Sequence, residues 1–332
     1  MKMRLPARRL AIVGLVAALA VIPQTVGNNY QIFVLTLIGL YTMLTVGLSL
    51  VMGYAGQVSL GHATFYGIGA YTTALLSTKA NLPPWLALVG AVIVTALIGF
   101  LIGVPIFRLR GHYLAMATLG FNVIFILIVK NESSVTGGPS GFTSIPPLSI
   151  AGVTFDTDVS MYYVVWIATL VILMLSLNIV NSRVGRALRA IHASEIAAET
   201  LGVDSTAFKL KVFALAAGYA GVAGGLYAQT VRFISPSSFD LLFSIELVTM
   251  AAVGGLASVW GSIFGAAAVV FLTQFIRDRL GDLLAGAAGE GEIIIFGMLL
   301  ILIMVFLPEG LTTGGLNAVR RWQARRKENV PA

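Results

Sequence analysis

The chain has 332 residues, of which 58% are hydrophobic and 11% charged, and its mean hydropathy is +0.92. Soluble domains contain about 45–50% apolar and about 25% charged residues, so these values exclude a water-soluble enzyme, a nucleic-acid-binding protein and a disordered chain. The net charge of +7 fits cytoplasmic loops rich in Lys and Arg, and the absence of cysteine excludes disulfides. The composition therefore predicts a polytopic membrane protein.

Long stretches without charged residues predict the membrane-spanning helices. The first stretch, Leu10–Thr78, is long enough for three crossings of about 20 residues each, with turns at 27–29 and 53–56. Later stretches that each hold at least one crossing are Ala80–Phe107, Gly111–Val129, Val159–Ser182, Val212–Val231, Leu247–Ile276 and Ile293–Pro308. The glycines at 254, 255 and 261 allow two short helices within 241–276, which raises the count from nine spans to ten.

The distribution of basic residues favours ten spans with both termini in the cytoplasm. In that arrangement sixteen of the 21 Lys and Arg residues lie on the cytoplasmic side, including those of the tail at 312–332. The five that remain outside are Lys79, Lys130, Arg232, Arg277 and Arg279. The first 20 residues could alternatively be a signal peptide, which would leave nine spans, but the polytopic sequence that follows favours a retained first helix.

Two loops between the predicted spans are long. The loop at 130–160, predicted to be external, contains Thr136–Gly141 and Pro146-Pro147, whose Gly and Pro residues indicate an irregular backbone. It is either a connector or a docking surface that borders a translocation path. The loop at 182–211 is predicted to be cytoplasmic.

The cytoplasmic loop contains a short predicted helix. Ser194 is a suitable N-cap, Glu195 suits the positive end of the helix dipole, and Gly202 suits the position just after the helix. Because a helix of about two turns is marginal in water by itself, it must pack on its own protein or on a partner. Ala197, Ala198 and Leu201 would form a small apolar face for a partner's groove.

Five polar residues within the spans are candidates for a translocation path, because polar groups in a bilayer are costly and tend to face the bundle interior. They are Gln57, Ser59, His62, Asn122 and Glu246. The first three lie in a glycine-rich segment, 53–62, which is typical of the broken helices that form binding sites in transporters. Helix packing through small residues is the alternative there, Asn122 could bond another helix, and Glu246 could pair with Arg232.

The sequence contains no motif for ATP hydrolysis or metal catalysis. No Lys is followed by Ser or Thr, which excludes the P-loop pattern, and the three histidines are not spaced as in a zinc motif. We therefore expect neither an enzyme nor a resident cofactor or metal.

Gly53–Ala63, Leu109–Phe121 and Glu195–Gly202 resemble motifs of the branched-chain amino acid permeases of ABC importers, the LivH/LivM family. Glu195-Ile196-Ala197-Ala198 followed by Gly202 resembles the EAA motif, the short helix that docks on the ATPase in ABC importer permeases. Other similar stretches are Thr136–Gly141, Ser182–Ile191, Phe233–Pro236, Val253–Gly261 and Leu307–Leu311. The resemblance is to the M-type subunits in particular at Leu109–Phe121, Thr136–Gly141, Ser182–Ile191 and Phe233–Pro236. After Phe121, Asn122-Val123 replace the Gly-Glu pair that often follows there.

The resemblance implies an all-α, membrane-spanning subunit that carries leucine, isoleucine or valine across the cytoplasmic membrane. It implies four kinds of partner: a LivH-type second permease, two ATP-binding subunits, an extracytoplasmic substrate-binding protein and membrane lipid, with no nucleic acid. Glu195, Ala197, Ala198 and Gly202 would then couple the chain to an ATPase. Related permeases import urea or short amides, which remain alternative substrates, and a secondary transporter or channel would need no ATPase-docking loop.

Overall fold

The computed structural model describes residues 5–25, 27–109, 111–150 and 152–280, together with 297, 298 and 311. The described chain is almost entirely helical, which confirms the predicted all-α class. The helices are α1 (Leu5–Thr25), α2 (Asn29–Leu48), α3 (His62–Thr78), α4 (Pro84–Ile106), α5 (His112–Asn131), α6 (Ser133–Thr136), α7 (Asp158–Asn181), α8 (Arg183–Ala193), α9 (Glu195–Thr200), α10 (Ser205–Val231), α11 (Leu241–Gly254) and α12 (Gly261–Leu280). Most of the predicted last span and the basic tail at 312–332 lie outside the described residues.

Six described segments are long and apolar enough to cross a membrane. They are Asn29–Tyr54, Pro84–Ile106, His112–Asn131, Asp158–Asn181, Ser205–Val231 and Pro236–Gly254, and Gly14–Thr25 and Gly261–Ile276 are shorter apolar helices. The predicted division of 241–276 into two helices is confirmed, since α11 ends at Gly254 and α12 begins at Gly261. A Cβ on Gly254 would lie 2.2 Å from the Gly261 carbonyl oxygen, so only glycine permits this close reversal.

Small residues bring α3 and α10 together at the centre of the bundle. A Cβ on Gly224 of α10 would lie 2.0 Å from the Tyr66 carbonyl oxygen of α3, and one on Gly69 would lie 2.7 Å from the Gly221 backbone. Helices in lipid associate through such close backbone contact because the apolar solvent supplies no hydrophobic driving force. The outer helices α4, α5 and α7 expose many apolar side chains, as a lipid-facing surface requires.

Side-chain contacts show at which end of the bundle the segments between the helices lie. At one end, the space beside Gly103 of α4 is filled by Leu210 and Phe213 of α10, close to α9. At the opposite end, Lys79 donates to the Ser134 carbonyl at 2.6 Å, and Arg232 pairs with Asp156. We call these the α9 end and the far end.

The predicted irregular loop at 130–160 consists of short elements at the far end. After α6 come a 3₁₀ turn (Gly138–Ser140) and a two-stranded hairpin of β1 (Ser149–Ile150) and β2 (Val153–Thr154). Phe142 forms two backbone hydrogen bonds with Ile234, which ties this loop to the segment after α10.

The predicted loop at 182–211 is mostly helical. Ser182 caps the amphipathic helix α8, whose apolar residues Leu188 and Ile191 are buried. Helix α9 follows, and α10 already begins at Ser205, so Lys209 and Lys211 belong to a long helix.

Candidate functional site

Hydrogen bonds at both ends define the short helix α9. The Ser194 hydroxyl accepts from the Ala197 N–H at 3.3 Å, as predicted for an N-cap. At the other end the Gly202 N–H donates to Glu199 at 2.9 Å and the Val203 N–H to Ala198 at 3.1 Å, the hydrogen bonds of a Schellman motif. Gly202 has a φ of +82°, the left-handed conformation predicted for it. These caps explain how six residues can form a discrete helix.

Helix α9 presents apolar side chains away from the protein. Ile196 is 73% exposed and Leu201 82% exposed, and Ala197 is exposed beside them. Ala198 lies on the opposite side, where it is buried against the chain itself. The exposed apolar surface therefore consists of Ile196, Ala197 and Leu201, and Ala198 forms the inner contact of the helix.

Glu195 forms an ion pair within the chain. Its Oε2 lies 2.7 Å from Nζ of Lys209, on the second turn of α10. The Lys209 side chain is only 5% exposed, whereas that of Glu195 is 30% exposed. The pair therefore fixes the start of α9 against α10.

The α9 end also contacts the break that follows α2. Helix α2 continues as one turn of π-helix, Ser49–Tyr54, and the chain then turns at Gly56 with a φ of +70°. A Cβ on Gly56 would lie 3.0 Å from Nδ1 of His192, near the end of α8. Single π-helical turns are rare and occur frequently at functional sites. The predicted broken helix is present here, because helical structure resumes only at His62.

The start of α3 lies deep between other helices. The Leu60 N–H donates to the Thr118 hydroxyl of α5 at 3.0 Å, and the Ala63 N–H donates to the Ser244 hydroxyl of α11 at 3.2 Å. Asn122 donates from Nδ2 to the Thr64 hydroxyl at 2.9 Å and to the Phe239 carbonyl at 3.2 Å. We call this meeting point the α3 junction, made up of residues 59–64 with Thr118, Asn122 and Ser244.

Two predicted path residues at the α3 junction lack hydrogen-bond partners. The hydroxyl of Ser59 and both ring nitrogens of His62 are buried and unpaired in the described structure, and His62 is 1% exposed. A buried polar group without a partner costs about 1–3 kcal/mol, so its presence calls for an explanation such as a water or ligand.

The other three predicted path residues occupy different settings. Asn122 is buried and its amide nitrogen bonds two other elements, which matches the interhelical alternative. The Gln57 amide donates to the Ala55 carbonyl at 2.9 Å within the same turn. Glu246 is half-buried on α11, and Arg232, proposed as its partner, forms its ion pair with Asp156.

Sequence reasoning missed three residues that position these sites. Lys209 was assigned to a loop as an orientation charge, and Thr118 and Ser244 are ordinary small polar residues of a membrane helix. The roles of these three residues depend on which helix each side chain faces, and no local sequence pattern predicts that. The N-cap Asp204, which accepts from the Ala207 N–H at the start of α10, was the local signal that could have placed Lys209 on a helix.

Comparison with known proteins gives consistent matches over most of the chain. Residues 30–306 match the family described as branched-chain amino acid transport system / permease component. The high-affinity branched-chain amino acid transport system permease protein LivM of Salmonella typhimurium is 34% identical over 83% of this chain and 68% of its own length, as is LivM of Escherichia coli K12. LivH of Salmonella typhimurium is 26% identical over 83% of this chain and 92% of its own. No solved structure gives a significant match.

Proposed function

Because the chain belongs to the branched-chain amino acid permease family, we propose that it is the M-type membrane subunit of an ABC importer for leucine, isoleucine or valine. The observation that carries this proposal is the 34% identity to two LivM permeases over 83% of the chain. Such a subunit lies in the inner membrane as a multi-pass protein, pairs with a LivH-type permease and contributes transport rather than catalysis.

Helix α9 is the proposed docking site for an ATP-binding subunit. It is short, capped at both ends, and it presents Ile196, Ala197 and Leu201 to solvent. Apolar residues exposed on a discrete helix are suited to a hydrophobic groove. An importer of this kind needs two ATP-binding subunits for energy, because the sequence contains no P-loop, and an external binding protein to deliver the amino acid.

Leu201→Asp tests the docking role. A carboxylate at Leu201, which directly follows α9 and is 82% exposed, would be desolvated in the interface, so co-purification of the ATP-binding subunits should fall at least about tenfold. The matched control is Thr206→Asp, which adds the same charge at an exposed position on the first turn of α10. Both variants should insert normally. Full co-purification of the ATPases with Leu201→Asp would refute docking through α9.

The α3 junction is the proposed part of the translocation path. Its support is the pair of buried, unpaired groups on Ser59 and His62, next to the start of a helix that begins inside the bundle. Discontinuous helices expose backbone groups that can bind a polar substrate, and transporters use them in that way. In this proposal Ser59 and His62 contact the moving amino acid, Gln57 and Glu246 border the path, and Asn122 holds its wall together.

The departure at Asn122-Val123 bears on the choice of substrate. Where the M-type pattern often has Gly-Glu after Phe121, this chain has Asn122-Val123, so Val123, which is 42% exposed, stands at the position of the acid. Without that acid, a neutral polar cargo such as urea or a short amide is the second candidate. Uptake of labelled leucine, urea and acetamide by the complete transporter distinguishes the two, and the proposal expects leucine alone.

A further inference from the structure

We infer that the Glu195–Lys209 ion pair is the internal link through which movement of α9 reaches the transmembrane helices. The inference rests on the proposed function, because it takes α9 to be the ATPase-docking helix. It assigns Glu195 a positioning role inside the permease and gives Lys209 a function. The ATPase then contacts the exposed side of α9, formed by Ile196, Ala197 and Leu201, while Glu195 holds the other side.

The first support is the geometry of the pair. The 2.7 Å separation of Glu195 Oε2 and Lys209 Nζ is that of a charge-assisted hydrogen bond, and the Lys209 side chain is 5% exposed. A surface pair of this kind would contribute little, since solvent screens it. Here one partner is buried, so removal of either side chain's charge leaves the other uncompensated.

The second support is that the other nearby charges are used elsewhere or face solvent. Asp204 accepts from the Ala207 N–H at 2.9 Å as the N-cap of α10, and Arg189 donates to the Val180 carbonyl at 3.0 Å. Glu199 and Lys211 are exposed. The Glu195–Lys209 pair joins α9 to the membrane helix α10, whereas the Arg232–Asp156 pair lies at the far end.

The third support is what α10 contacts beyond Lys209. Leu210, the next residue, and Phe213, one turn further along, fill the space beside Gly103 of α4. Further still, Gly221 and Gly224 contact the backbone of α3 at Gly69 and Tyr66. Close-packed backbones cannot slide independently, so a displacement of α10 is passed to α3, which begins at the α3 junction.

Neutral and charge-reversed variants test the link in the complete transporter. Glu195→Gln and Lys209→Met should each insert and retain the ATP-binding subunits, yet leucine uptake per ATP hydrolysed should fall at least about tenfold. The exposed neighbours provide matched controls, and Glu199→Gln and Lys211→Met should behave as the parent. The double variant Glu195→Lys with Lys209→Glu restores opposite charges and should recover most of the lost coupling.

Three results would overturn the inference. One is a parental ratio of uptake to ATP hydrolysis in Lys209→Met. Another is that Glu195→Gln loses the ATP-binding subunits and that the charge-reversed double variant does not regain them, because Glu195 would then contact the ATPase itself. If Lys209→Met fails to insert, Lys209→Arg serves as the second test, because it keeps the positive charge and should retain the parental ratio of uptake to ATP hydrolysis. A reduced ratio in Lys209→Arg would be the third contrary result.

Failure of this inference is distinguishable from failure of the docking proposal. If Leu201→Asp keeps its ATPases, α9 is not the docking helix, whatever the ion pair does. If Leu201→Asp loses them while Lys209→Met stays fully coupled, docking stands and only the link through Lys209 is wrong.

Discussion

At the scale of single residues, the surroundings of His62 bear on whether this residue serves packing or transport. Both of its ring nitrogens are buried and unpaired in the described structure, and a Cβ on Gly47 would lie 3.1 Å from Nε2. A histidine that served packing alone would be expected to have a partner for at least one nitrogen. An arrangement that costs stability is common where a residue is retained for function.

His62→Leu should therefore stabilise the protein and impair transport. Removal of an unpaired buried polar group favours the folded state by about 1 kcal/mol, which should raise the thermal midpoint of the detergent-solubilised complex. Leucine uptake should fall, because the path loses a polar contact. Tyr71→Phe is the control: it removes another buried, unpaired group of α3, nine residues further on, and uptake should stay at the parental level. Parental uptake by His62→Leu would make His62 a packing residue.

At the scale of an element, α9 depends on its caps more than on its length. Six residues cannot sustain a helix in water, and the Schellman hydrogen bonds of Gly202 and Val203 supply the end of this one. A Cβ on Gly202 would meet no atom within 4 Å, so space does not restrict this position. The φ of +82° is the only restriction, and it favours glycine.

Gly202→Ala and Gly202→Asn should consequently differ. Alanine in the left-handed region costs about 1–2 kcal/mol, enough to change a local folding equilibrium about 5–30-fold, whereas asparagine tolerates this region better. We expect substrate-stimulated ATP hydrolysis to be clearly reduced in the alanine variant and nearly parental in the asparagine variant. Gly120→Ala, in the helix α5 and also without neighbours within 4 Å, should be neutral. Equal activity of the two Gly202 variants would contradict a conformational role.

At the scale of the whole molecule, the two ends of the bundle differ in charge. The α9 end carries Arg183, Arg186 and Arg189 on α8 and Lys209 and Lys211 on α10. The far end carries Lys79, Lys130 and Arg232, and Arg232 is paired with Asp156. The positive-inside rule therefore predicts that the α9 end faces the cytoplasm, where an ATPase could reach it.

Reporter fusions test this orientation directly. A reporter that works only in the cytoplasm should be active when it is fused after Gly202 or at Ala332. A reporter that works only outside the cytoplasm should be active when it is fused near Ser144. Agreement at Gly202 and Ser144 checks the orientation of the described bundle, and Ala332 checks the predicted even number of spans. An external signal at Gly202 would refute both the topology and the docking role of α9.

Much of this architecture follows from local sequence patterns. Charge-free stretches predict the spans because charge is costly in lipid, and Ser194 and Gly202 predict the limits of α9 because caps act within one turn of chain. The glycines between 254 and 261 similarly predict the α11–α12 reversal, and the motifs predict the family, which the matches over residues 30–306 confirm. Each of these properties depends on neighbours in sequence.

The partners of the polar residues, by contrast, depend on neighbours in space. Asn122 lies 58 residues from Thr64 and 117 from Phe239 along the chain, and the sequence alone left open whether it faced a path or another helix. From the sequence, Lys209 was one more cytoplasmic charge and Ala198 was available to a partner, whereas in the structure both side chains are buried, Lys209 beside Glu195. Membrane helices are apolar on nearly all sides, so their sequences do not specify which face meets which neighbour. Tertiary packing decides that, and with it which polar groups have a hydrogen-bond partner and which have none.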